Sequence, residues 1–335
     1  MKILITGASG FIGSHMVERA LLLGYEVWAS VRPTSSRRYL SNENIHLIEL
    51  LLNDYDILLG QLNDCPQWDV IIHCAGATKC VHQRDYYTIN YDATRHLVDA
   101  LITLEKIPKQ FIYMSTLGTY GPLHETRPYR PITNSDTPRP NTHYGRSKRM
   151  AEEFLTSLKG FPYIIFRPTG VYGPRDKDYR LLINSIRHHV ELSFGTVRQE
   201  ITFVYIHDLV KAVFLAIKHG ITQRCYFITD GNVYTAHDFG DIVRHALGDP
   251  YVIRITVPLW LGRVAALLCD GIGRIIGRSL TFNSDKYHIL SQRNWTCDIS
   301  PLVFELGYKP EFDLRRGITE TIRSCKSSGR PTHGA

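Results

Sequence analysis

The sequence predicts an α/β fold, a doubly wound parallel sheet with a smaller C-terminal α/β part, and three observations predict it. The chain opens on an apolar strand, Ile3 to Ile5, that runs directly into glycines spaced three apart, Gly7, Gly10 and Gly13. A helical pattern follows at once, with Ile12, Met16, Val17, Ala20 and Leu21 sharing one face. Beyond it, short and almost wholly apolar strands alternate with amphipathic helices as far as Phe166, the pattern of a parallel sheet covered on both faces. A chain of 335 residues, 44% hydrophobic and 21% charged, has the composition to fill such a core.

The elements are read in order as follows. Gly24 ends the first helix and Glu26 to Val31 forms the second strand. Ile45 to Leu50, Asp69 to Ala75, Gln110 to Ser115 and Tyr163 to Phe166 are the third to sixth strands, with helices at 55–62 and 85–105. The stretch from Gly121 to Asn141 holds five prolines and no periodicity. It reads either as a flap at the mouth of the site or as an ordered surface loop. Past Arg175 the pattern loosens into helices near 179–190, 208–219 and 236–247 and short strands at 202–206, 224–228 and 252–257. The expected division is a dinucleotide-binding domain over 1–174 with 201–230 returning to it, a substrate-binding part over 175–200 and 231–325, and a flexible tail over 326–335. Leu259 to Ile276 is strongly apolar but interrupted by Arg263 and Asp270, a poor bilayer span. Leu261, Ala265, Leu268, Ile272 and Ile276 fall on one stripe, which reads as a core-facing helix; the other readings are an apolar wall over the substrate and a weak membrane-surface contact.

Chemistry is expected where the strands end. A strand, a glycine turn and a helix N-terminus bring backbone N–H groups against a pyrophosphate, so Gly7 to Gly13 reads as a dinucleotide site. Gly7 makes the turn, Gly10 leaves room for the ligand and Gly13 packs the helix onto the strand. Tyr144 and Lys148 lie four apart at the start of a helical pattern and so share a face. A tyrosine needs its pKa shifted by roughly 2–3 units, about 3–4 kcal/mol, to exchange protons near neutrality. An ammonium about 4 Å away at an effective dielectric near 20 supplies roughly 4 kcal/mol, so Lys148 is expected to tune Tyr144. A hydroxyl from Ser115-Thr116, at the end of the fifth strand, is expected to hold the reacting oxygen beside the tyrosine.

These residues resemble the extended short-chain dehydrogenases/reductases, the NAD(P)-dependent epimerase/dehydratase family with its Rossmann-type sheet. The resemblance runs through Thr6 to Gly13, His73-Cys74-Ala75-Gly76, Asn90 to Thr94, Ser115-Thr116, Tyr144 to Lys148, Arg167 to Pro174 and Phe203 to Asp208. It implies Tyr144 as acid/base, Lys148 as its partner and a cofactor-ribose contact, and Thr116 as the catalytic hydroxyl. It also implies cofactor contacts from Gly7, Ser9, Gly10, Phe11, Ile12, Gly13, Leu52, Ala75, Gly76, Lys79, Asn90, Ser115, Tyr144, Pro168, Thr169 and Val171. His73 is expected to support the strand end rather than react.

NAD-preferring members place an acid at the end of the second strand; this chain has Arg32 there, then Arg37 and Arg38, which favours the 2′-phosphate of NADP, with NAD the alternative. Leu117-Gly118 stands where the resembled dehydratases carry Asp-Glu. Gly170 and Ile201 stand where sugar-nucleotide epimerases carry an Asn and an Arg, and Arg175, Arg180 and Arg198 are the candidate replacements. The expected reaction is therefore hydride transfer between NADP(H) and a secondary alcohol or ketone on a moderately apolar small molecule. Nucleotide-sugar epimerisation is the alternative, and a non-catalytic dinucleotide sensor the competing class. The net charge of +7 is scattered, with no basic helix face, so no nucleic-acid partner is expected. Seven cysteines without a CxxC pair argue against a disulfide framework and for a reducing, cytoplasmic setting, and no metal site is expected. A homodimer through the helices near 85–105 and 142–159 is expected from the resemblance.

Overall fold

Strand β1 (Lys2–Thr6) is buried on both sides, so it needs a layer of helices on each, and the rest of the chain supplies them. The computed structural model describes residues 1–327. The strands β2 (Glu26–Val31), β3 (Ile45–Glu49), β4 (Val70–His73), β5 (Gln110–Met114), β6 (Tyr163–Pro168), β7 (Gly170–Tyr172), β8 (Val190–Phe194), β9 (Phe203–Tyr205), β10 (Arg224–Ile228) and β11 (Ile253–Val257) follow in order. One parallel sheet of seven strands has the order β10-β6-β5-β4-β1-β2-β3, which reverses direction between β1 and β4. Thr6 faces His73 in register at that point, so the turns after β1 and β4 open side by side on one crevice.

The helices are α1 (Phe11–Leu22), α2 (Tyr55–Asn63), α3 (Gln83–Tyr87), α4 (Ala93–Thr103), α5 (His143–Ser157), α6 (Asp178–Arg187), α7 (Ile206–His219), α8 (Ala236–Ala246), α9 (Leu259–Ile276), α10 (Ser284–Ser291), α11 (Ser300–Leu306) and α12 (Leu314–Ser327). Alternation along each strand divides the core. Ile3, Ile5, Ile112 and Met114 pack with Met16, Val17 and Val213 on one side of the sheet. Leu4, Phe111 and Tyr113 pack with Leu97, Leu101 and Leu155 on the other.

Three expectations change on the structure. The stripe on α9 does not face the core. Gly262, Ala266 and Gly273 form its buried side, while Leu261, Leu268, Ile272 and Ile276 are exposed. Glycine and alanine let that helix lie close against Phe194, which a Cβ on Gly262 would approach to 3.1 Å, so the bulky residues are left outside. The 121–141 stretch is an ordered loop rather than a flap. Ile132 is buried with Leu117, Tyr120 and Phe227, and the Asn294 amide holds the carbonyls of Leu123 and Arg130. The predicted tail begins too early, because α12 continues to Ser327; the remainder, 328–335, lies outside the described residues. No helix among the described residues is long and apolar enough to cross a membrane.

Candidate active site

The turn after β1 requires its glycines. Gly7 has φ +64°, and a Cβ there would lie 2.7 Å from the Ala75 nitrogen, so the β1 and β4 turns press together at backbone distance. A Cβ on Gly13 would sit 2.2 Å from the Gly7 carbonyl oxygen, which fixes α1 directly on the turn. The Gly10 N–H donates to that same oxygen at 2.9 Å. Helix α1 starts with no side-chain cap and no acidic residue in its first turn. Its first N–H groups, which have no intrahelical partner, thus face the crevice together with the positive end of the helix dipole. Ser9, Phe11 and Ile12 line the same turn, half-buried. The donor set fits the pyrophosphate of a dinucleotide.

Behind the turn, His73 is part of a closed chain of hydrogen bonds. The Ala75 N–H donates to the Thr6 hydroxyl, which lies 2.7 Å from His73 Nδ1. Nε2 lies 3.0 Å from the Thr94 hydroxyl, whose own proton goes to the Asn90 carbonyl at 2.8 Å. Since Thr94 has given its proton away, Nε2 donates and Nδ1 accepts, so the imidazole is neutral. Burial holds its pKa down at about 3. His73 joins strand end to helix, as expected of a supporting residue. Asn90, fully buried in a π-helical turn over Thr88–Asp92, accepts from the Ala77 N–H at 2.8 Å and donates to the Ser147 hydroxyl at 2.9 Å. It thereby ties the loop carrying Ala75 and Gly76 to α5.

Thr116 and Tyr144 come together at the crevice, close enough for the Thr116 hydroxyl to act on the Tyr144 phenol. Burial pushes the Tyr144 phenol up to about 12, with the nearby Thr116 hydroxyl pulling the other way. Lys148, 4% exposed, donates to the Met114 carbonyl at 2.9 Å and lies 4.6 Å from the centre of the Tyr113 ring; burial pushes its pKa down to about 8. The net shift of Tyr144 is therefore upward, opposite to the lowering expected from Lys148. The ammonium rests on a backbone carbonyl, and desolvation governs both groups.

Several of the residues expected along the cofactor make protein contacts. Ser115 gives its proton to Glu152 at 2.5 Å, inside a buried network where Arg167 also binds Glu152, at 2.8 Å, and Asn134 at 2.7 Å. Lys79 binds Asp178 at 2.6 Å, with Lys286 on the carboxylate's other oxygen at 3.3 Å. Arg37 pairs with Glu49 at 3.1 Å, whereas the exposed Arg32 side chain has no ion-pair partner among the described residues. Leu52 is half-buried at the end of β3, its carbonyl held by His96. Pro168 and Thr169 run along β10 at Ile228, and Val171 pairs with Val204. Arg175, a candidate diphosphate anchor, is bound by the Ser14 hydroxyl and Glu18 and stacks on Tyr39.

Two features were not legible in the sequence. Asp285, on α10, accepts the N–H groups of His143 at 3.1 Å and Tyr144 at 3.0 Å. A carboxylate from the C-terminal part thus caps the helix that carries the tyrosine, beside the local cap from Thr142. At Gly170, a Cβ would fall 2.1 Å from the Tyr179 hydroxyl, so a tyrosine fills the space that a side chain at 170 would take.

Comparison with known proteins agrees with this arrangement. The model of the NAD dependent epimerase/dehydratase family matches residues 3–228. The UDP-glucose 4-epimerase of Vibrio cholerae is 25% identical, over 96% of this chain and 95% of its own. The decarboxylating sterol-4-alpha-carboxylate 3-dehydrogenase of Dictyostelium discoideum is 23% identical, over 95% and 99%. A crystal structure of the UDP-glucose 4-epimerase of Thermotoga maritima with UDP-glucose superposes with a TM-score of 0.77 at 22% identity, covering 98% of this chain and 99% of that one. With its sheet reversing at a glycine-rich turn and its match over residues 3–228, the chain belongs to the NAD dependent epimerase/dehydratase family and is an enzyme of the extended short-chain dehydrogenase/reductase type.

Proposed function

We propose that the protein transfers a hydride between NADP(H) and a secondary alcohol or ketone on a moderately apolar small molecule. The observation that carries this reading is the approach of the Thr116 hydroxyl to Tyr144, with Lys148 one helical turn from the tyrosine. Gly7, Ser9, Gly10, Phe11, Ile12 and Gly13 hold the dinucleotide's pyrophosphate, while Ala75, Gly76, Pro168, Thr169 and Val171 line its path. When bound, the dinucleotide supplies or accepts the hydride. Thr116 and Tyr144 hold the substrate oxygen between their hydroxyls. With its pKa at about 12, Tyr144 carries its proton at neutral pH and passes it to that oxygen as negative charge develops. Lys148, at about 8, is largely protonated there and stabilises the phenolate that remains. The resting protonation is thus set for reduction.

Arg32 supports NADP over NAD: it is exposed at the end of β2 and free of a carboxylate, while Arg37 is tied to Glu49. We also infer a cytoplasmic homodimer. Cys65, Cys74, Cys80, Cys225, Cys269 and Cys297 are in no disulfide, and α4 and α5, which pack on each other, expose Ile102 and Met150. The second reading, a nucleotide-sugar epimerase, is favoured by two relatives of that name and disfavoured at Gly170 and Arg175, whose places are taken by protein contacts.

The test is NADPH consumption with a panel of apolar ketones, set against isomerisation of UDP-glucose without net change in the cofactor. Ketone-dependent oxidation of NADPH, with preference over NADH lost in Arg32→Ala, supports the reductase. Isomerisation with a cofactor retained through purification overturns it in favour of the epimerase.

A further inference from the structure

Helix α9 is turned inside out. Its small residues pack inward and its large apolar ones face solvent, among them Trp260, Leu268 and Ile275, which are 70%, 63% and 86% exposed. Val264, Leu267 and Ile272 complete a stripe along the whole length of the helix. At about 100° per residue, Arg263 and Arg274 fall within roughly 20° of each other on one flank of that stripe. Arg278 follows just past the helix end, and none of the three arginines has an ion-pair partner among the described residues. The helix's single carboxylate, Asp270, is half-buried and bound by the backbone N–H and hydroxyl of Ser284. The exposed face therefore presents apolar side chains and a net positive charge, three exposed arginines against one half-buried carboxylate.

We propose that α9 is a docking surface for a bilayer carrying anionic lipid. The helix lies in the plane of the interface: its apolar stripe enters the boundary between headgroups and acyl chains, Trp260 sits at headgroup depth, and Arg263, Arg274 and Arg278 take lipid phosphates. It does not cross the bilayer, since no described helix is long and apolar enough to do so. The charge on the face selects this occupant over a second copy of the chain, because an isologous pairing would set the same unbalanced arginines against each other. The proposal is independent of the catalytic reading, as α9 contributes no residue to the site described above.

The test is co-sedimentation of the full chain with phosphatidylcholine vesicles, with and without phosphatidylglycerol, together with its oligomeric state by light scattering. Sedimentation with the anionic vesicles is expected, lost in Leu268→Glu/Ile275→Glu. Removing the charges in Arg263→Gln/Arg274→Gln/Arg278→Gln should weaken it about fivefold per arginine, or roughly a hundredfold in all. All these side chains are exposed, so folding and NADPH titration should be unchanged. Failure of the wild type to bind anionic vesicles overturns the proposal. So does equal binding to neutral vesicles with no effect of the arginines. A dimer that dissociates in Leu268→Glu/Ile275→Glu, without vesicle binding, would reassign the face to a second copy.

Discussion

Replacing Lys148 by methionine should make the protein more stable at neutral pH even as it removes turnover. In the folded chain Lys148 is 4% exposed and burial lowers its pKa from 10.5 to about 8. Between those two values the unfolded chain binds more protons than the folded one, so this lysine's contribution to stability rises with pH through that window. Worked from the two pKa values, the buried ammonium costs about 3 kcal/mol at pH 7 and about 1 kcal/mol at pH 10. Methionine removes that cost but also the bond to the Met114 carbonyl, worth about 1 kcal/mol. Lys148→Met should therefore be about 2 kcal/mol more stable than the wild type at pH 7 and nearly equal to it at pH 10. Urea unfolding of both proteins at the two pH values measures this, and groups common to both cancel in the difference. A gap that does not change with pH, or a variant less stable at pH 7, would refute the claim that the lysine is held desolvated beside the tyrosine.

Gly13→Ala places a Cβ 2.2 Å from the Gly7 oxygen, so the turn must move; NADPH affinity should fall roughly tenfold or more in a calorimetric titration. Glu152→Gln leaves Arg167 buried without its counter-charge and should cost about 3 kcal/mol in urea unfolding. Asp285→Ala removes two charge-assisted bonds to the first turn of α5 and should lower kcat while leaving NADPH affinity unchanged, because that turn carries Tyr144 and not the glycine turn.

The sheet was legible because its strands are apolar throughout and bounded by turn residues: the second strand, Glu26–Val31, was read to the residue. The proximity of Thr116 and Tyr144 was legible because both lie at chain positions that a doubly wound sheet brings to one crevice. What escaped has physical causes. Periodicity tells which residues of α9 share a face but not which way the face points; the signal was the opposite seam of Gly262, Ala266 and Gly273. The strand Val190–Phe194 finds its partner far along the chain, in Ile253–Val257, and only the latter was read as a strand. The π-helical turn around Asn90 leaves no sequence period. Asp285 sits on a short helix with no fully buried residue, so nothing local marked it as the cap of a distant one.

Turnover by Tyr144→Phe, set beside its NADPH affinity on a ketone that the wild type reduces, tests the central claim most directly. In the proposed mechanism the hydroxyl carries the proton that the reaction moves, while the dinucleotide is held elsewhere, by the turn from Gly7 to Gly13. The account predicts an unchanged NADPH titration and a fall in kcat of roughly a hundredfold to ten-thousandfold. Wild-type turnover in that variant would contradict it and remove Tyr144 from the chemistry.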